Sequence, residues 1–92
     1  MPSTLQYRDA IRYEHLTASS TAINRDGVAR LLRVVVNDPA AVSLTIYESA
    51  TAAGSVVGVI DCANAGTFEY GVTLSGLTVN LDGTADVTVV YQ

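Results

Sequence analysis

Thr67-Phe68-Glu69-Tyr70-Gly71-Val72-Thr73-Leu74-Ser75-Gly76-Leu77-Thr78-Val79-Asn80-Leu81-Asp82-Gly83-Thr84-Ala85-Asp86-Val87-Thr88-Val89-Val90-Tyr91 decides the fold class. Phe68, Tyr70, Val72 and Leu74 alternate with Thr67, Glu69, Gly71 and Thr73. Val87, Val89 and Tyr91 alternate with Asp86, Thr88 and Val90. A period of two sends successive side chains to opposite faces, which marks half-buried strands. The β-branched and aromatic content suits strands as well. Asp82-Gly83 between the last two runs predicts a hairpin with a tight turn, glycine supplying the positive φ.

The same period extends towards the N-terminus. Val42, Leu44 and Ile46 alternate with Ser43, Thr45 and Tyr47. Asp26-Gly27, Asn37-Asp38-Pro39, Ala53-Gly54, Asn64-Ala65-Gly66 and Ser75-Gly76 supply the turns between runs. Strands are expected over 11–17, 28–37, 41–48, 55–61, 67–74, 76–81 and 84–91. Ser20–Asn24 reads as a short helical turn. The expectation is an all-β chain: a single antiparallel β-sandwich, Ig-like or jelly-roll-like, of about seven short strands with an extended N-terminal arm. Residues 1–10 form the arm and 11–92 the β-sandwich domain. Leu44, Ile46, Val57, Val59, Phe68, Tyr70, Val72, Leu77, Val79, Val87 and Val89 are expected to face the core between two packed sheets.

A chain of 92 residues is one domain. At this size folding buries only about 60–65% of the unfolded surface, so the margin of stability is small. Cys62 is the only cysteine, which rules out an intrachain disulfide. One thiol and one histidine do not make a zinc site of the usual kind. The remaining support for a small domain is oligomerisation or docking. Charged residues make up 15% of the chain, against about 25% in an average globular protein. All five basic residues are arginines, and after Arg33 the chain carries only acidic charges. That distribution lacks the basic stripe of a nucleic-acid binder. It allows a head-to-tail contact, the arginine-bearing third of one copy against an acidic face of the next. Tyr7, Arg8, Arg12, Tyr13, Arg25, Arg30 and Arg33 are the candidate interface residues. Ten extended residues span up to about 33–36 Å, enough for the arm to cross to a neighbour.

His15 has no accompanying nucleophile motif such as G-x-S-x-G, and reads as a structural or surface histidine. Cys62 follows Ile60-Asp61 among acidic or neutral neighbours and reads as a small core residue. Asp61, Glu69, Asp82 and Asp86 do not follow the spacing of a calcium loop. Arg25-Asp26-Gly27 is a turn, and no glycine-rich phosphate loop opens a helix. The tyrosines suit core or subunit contacts better than a sugar platform, since tryptophan is absent. No catalytic residue, metal or cofactor is expected. The first residues contain no apolar core of a secretory signal, and no apolar run reaches the ~20 residues of a membrane span. Synthesis in a cytoplasm, with no membrane partner, is expected.

Thr67–Leu81, the Thr84–Tyr91 strand and Val42-Ser43-Leu44-Thr45-Ile46-Tyr47-Glu48 together resemble small β-sandwich virion proteins of tailed bacteriophages. The resemblance covers roughly residues 20–92. It rests on an aromatic-rich strand leading to a Gly-Leu-x-Val strand, a closing D-x-T-V-x-Y strand and the T-I-Y strand. It implies a structural protein: a capsid decoration or cement protein that stabilises the head through intersubunit contacts. The alternative is a neck or tail accessory subunit, or a fibre module that binds a receptor or glycan. The implied partners are the major capsid protein or other virion subunits and further copies of the chain, a trimer being favoured. The implied location is the capsid surface of the virion, after synthesis in the host cytoplasm. No catalytic residues come with the resemblance.

Overall fold

The computed structural model describes residues 11–18, 20–24, 28–49, 51 and 53–92. The expected arm over residues 1–10 and the Asp26-Gly27 turn lie outside them. The described residues contain eight strands and no helix: β1 (Arg12–Leu16), β2 (Ser20–Asn24), β3 (Ala29–Asp38), β4 (Ser43–Glu48), β5 (Ser55–Asp61), β6 (Gly66–Leu74), β7 (Leu77–Leu81) and β8 (Asp86–Tyr91).

Two four-stranded sheets result, ordered β1-β8-β3-β6 and β2-β7-β4-β5. All pairs are antiparallel. The pairs β1·β8, β2·β7, β3·β6 and β4·β5 are those of one long hairpin with its tip at the β4–β5 connection. Rolling that hairpin up adds the β3·β8 and β4·β7 pairs. Eight strands so arranged form a jelly roll, the second of the two sandwich types expected. The tip turns at Gly54, whose φ of 98° lies in the left-handed region open to glycine. By their antiparallel pairing, β1, β3, β5 and β7 end and β2, β4, β6 and β8 begin at one end of the sandwich, and their other termini lie at the opposite end.

The inner faces meet in a core of Leu16, Leu31, Val34, Val36, Leu44, Ile46, Ile60, Leu74, Leu77, Val79, Leu81, Val87 and Val89, all buried. Burial of each Leu, Ile or Val contributes roughly 1.5–3 kcal/mol. Six of the eleven expected core residues are therein. Phe68, Tyr70 and Val72 are half-buried against it, because β6 is an edge strand with a neighbour on one side only.

Three expectations need correcting. Ser20–Asn24 is not helical; it is β2, and pairing with β7 imposes the strand on a segment with little pattern of its own. With β2 the sandwich has eight strands, in keeping with the about seven expected. Asp82-Gly83 does not close a hairpin: β7 and β8 belong to different sheets, and the connection crosses between them. Gly83 is not among the positive-φ glycines. Its role is close approach, since a Cβ there would lie 2.5 Å from Val42 Cγ1. Val59 faces outwards and is 62% exposed. Leu44 pairs with Ile60, Thr45 with Val59 and Ile46 with Gly58, which puts Ile60 inside and Val59 outside. Val57 is the extra residue of a bulge and packs half-buried against the core.

Candidate functional site

Because Leu16, Val34, Val36, Val87 and Val89 point inwards, their sequence neighbours form the outer face of the β1-β8-β3-β6 sheet. Register arranges that face in rows. Tyr13 lies opposite Val90, Val90 opposite Arg33, and Arg33 opposite Glu69. In the next row His15, Thr88, Val35 and Thr67 follow one another across the four strands. Tyr13 is 70% exposed, while Val35 and Val90 are half-buried. The face thus has an apolar strip bordered by paired charges.

Two polar clusters fix the face. His15 Nε2 donates to Asp86 Oδ1 at 2.6 Å, the carboxylate being able only to accept. Asn37 Nδ2 donates to the same oxygen at 3.1 Å and to Thr88 Oγ1 at 3.0 Å. The hydrogen bond from His15, and then that from Asn37, hold the Asp86 carboxyl below its ordinary range. Arg33 Nε meets Glu69 Oε2 at 3.2 Å across β3 and β6. The Thr88 hydroxyl is engaged by Asn37, and among the described residues no serine or cysteine hydrogen-bonds His15. The cluster therefore ties β1, β3 and β8 together.

The candidate interface residues do not all share this face. Tyr13, Arg30 and Arg33 share this outer face, Arg30 lying opposite Thr73 and exposed. Arg12 is exposed but has the opposite parity, pairing with Tyr91 at the start of β1. Tyr7, Arg8 and Arg25 lie outside the described residues. Tyr70 and Tyr91 pack against the core, so Tyr13 is the most exposed of the described tyrosines. The His15–Asp86 contact was missed because β1 and β8 are 71 residues apart at that point. The only available signal was the shared outward parity of His15 and Asp86 within their strands.

The outer face of the other sheet is chemically different. Thr45, Tyr47, Val56, Val59 and Asn80 lie on it by register, Val56 being 54% exposed. Thr78 is only 2% exposed there, and its hydroxyl donates to the Ser49 carbonyl at 2.8 Å. At one end of this face an open groove of about 510 Å³ is lined by residues including Val42, Val59, Asp61 and Asp82. Cys62, which follows Asp61, is fully buried, and burial, then Asp61 and Asp82, push its thiol up, away from the reactive thiolate. A second open hollow of about 370 Å³ runs from Ala18 to Thr84 past Asp82. Among the described residues no three His, Cys, Asp or Glu side chains converge as metal ligands. No described helix is long and apolar enough to cross a membrane.

Set beside known proteins, the chain matches no family model and none of the curated proteins.

Proposed function

We propose that the chain is a structural subunit of a tailed-bacteriophage virion, a capsid decoration protein that binds the head surface through its outer sheet face. One observation carries the reading. A four-stranded face presents an exposed aromatic ring, Tyr13, beside half-buried Val35 and Val90, with Arg30 and Arg33 on the same side. Tyrosine and arginine are the residue types that concentrate in protein interfaces. The strand-pattern resemblance over residues 20–92 and the low charge of the chain support the same reading. In this role the partners are the major capsid protein and neighbouring copies. Attachment to the native fold alone stabilises a small domain by mass action.

Counting copies tests the assignment. Quantitative mass spectrometry of purified particles should find the chain in the hundreds per particle for head decoration. A dozen copies or fewer would move it to the neck or tail, and absence from particles would end the virion reading. Deleting residues 1–12 should weaken attachment and leave the sandwich folded.

A further inference from the structure

At one end of the sandwich several strand ends carry aspartates: Asp38 closes β3, Asp61 closes β5, Asp82 follows β7 and Asp86 opens β8. At the opposite end stand Arg12 at the start of β1 and Arg30 near the start of β3. Glu48 also lies there, but its Oε2 already accepts the Ser75 amide at 3.1 Å. The molecule is therefore acidic at one end and arginine-bearing at the other. The groove of about 510 Å³ opens at the acidic end. Val42 and Val59 give it an apolar wall, and Asp61 and Asp82 a charged one. The two carboxylates are oriented by backbone amides, Asp61 Oδ1 accepting from Ala63 N at 3.0 Å and Asp82 Oδ1 from Ser43 N at 2.8 Å. Among the described residues no hydrogen bond engages Oδ2 of either carboxylate.

We propose that this groove receives an arginine side chain from the opposite end of a second copy of the chain, with Arg30 as the principal donor. Arginine fits both halves of the groove. Its aliphatic stem covers Val42 and Val59, and its planar guanidinium offers a fork of donors to the two carboxylates. Arg30 is exposed, whereas Arg33 is engaged with Glu69. Donor and groove lie at opposite ends, so one chain cannot satisfy itself. The contact is heterologous, and repeating it gives a ring where the rotation closes and a filament where it does not. Ion pairs at a surface are individually weak, so the association is reversible and salt-sensitive. It is a property of the isolated chain, and its failure would leave the virion assignment standing.

Sedimentation velocity of the purified chain, over a concentration series at about 20 mM and about 500 mM salt, tests the contact. Reversible association at low salt that dissolves at high salt is expected. R12E/R30E and D61K/D82K should each associate about tenfold more weakly or not at all. Mixing the two variants should restore association, because the acidic ends of one then face the basic ends of the other. Should a variant fail to fold, amide NMR of the wild-type chain decides instead. N-acetylarginine amide should shift Ser43, Asp61 and Asp82, and the neutral citrulline analogue should not. Association that ignores salt, a mixture that stays monomeric, or equal shifts with arginine and citrulline would each overturn the proposal.

Discussion

The two sheets are alike on their inner faces and unlike on their outer ones. Inside, Leu31, Val34 and Val89 of one sheet mirror Leu44, Ile46 and Val79 of the other, all fully buried. Outside, the β1-β8-β3-β6 sheet is laced by His15–Asp86, Asn37–Thr88 and Arg33–Glu69 contacts. The other sheet presents Thr45, Tyr47, Val56 and Val59, with charge where Asp61 and Asp82 border the groove. The inner faces account for the stability of the sandwich, which any jelly roll needs. The outer faces are where this chain differs from a generic one, and function is to be sought there.

If the inner faces are equivalent, truncating either should cost alike. Leu31→Ala and Leu44→Ala should each lower stability by about 2–5 kcal/mol in urea unfolding. For a domain whose whole stability is about 5–15 kcal/mol, either could leave it marginal. A large inequality would show that one sheet holds the core and the other merely covers it.

Close approaches between elements sharpen the picture. Gly83→Ala puts a methyl 2.5 Å from Val42 Cγ1, a β-branched side chain with little room to turn. It should cost about 1–3 kcal/mol. Gly58→Ala meets the Tyr70 hydroxyl at 2.8 Å, the far end of a ring that can swing outwards. It should cost less than Gly83→Ala in the same thermal or urea assay. The reverse order would mean that the β5–β6 rim is the tighter of the two.

On the outer faces the effects shrink. Thr78→Val removes the donor to the Ser49 carbonyl and should cost about 1–2 kcal/mol. Asp86 gives a pH signature on the opposite face. Its carboxyl is depressed in the fold, so its contribution is present above the ordinary carboxylate range and is lost as pH falls through its folded value. Urea midpoints of wild type and Asp86→Asn, followed from about pH 6 to about pH 2, should therefore converge at the acid end. Arg33→Met should change stability by less than about 1 kcal/mol, since both partners of the Arg33–Glu69 pair are well exposed.

Most of this architecture was legible in the sequence, and the gaps have physical causes. Alternation over 67–74 and 86–91 is enforced by one buried and one open face, so those strands could be read directly. Val56-Val57-Gly58-Val59-Ile60 could not be read that way, because four of its five positions are apolar and either parity satisfies the pattern. Only the pairing of Leu44 with Ile60 chooses between them. Ser20–Asn24 lacks a pattern for another reason: pairing with β7 makes it a strand, and pairing is not a local property. The site follows the same rule. Single residues such as Tyr13, Arg30 and Arg33 could be singled out as contact-formers, but their shared face depends on β1 and β3 both flanking β8. Asp82-Gly83 misled because its turn chemistry is local while its connection crosses between sheets.

Hydroxyl-radical footprinting of Tyr13, read by mass spectrometry on the isolated chain and on the chain in purified particles, tests the proposed role most directly. Tyr13 is 70% exposed in the free chain. If the β1-β8-β3-β6 face is the attachment surface, its labelling should fall severalfold in the particle, while that of buried core residues such as Leu44 stays low in both. Equal labelling of Tyr13 in the two states would contradict the account.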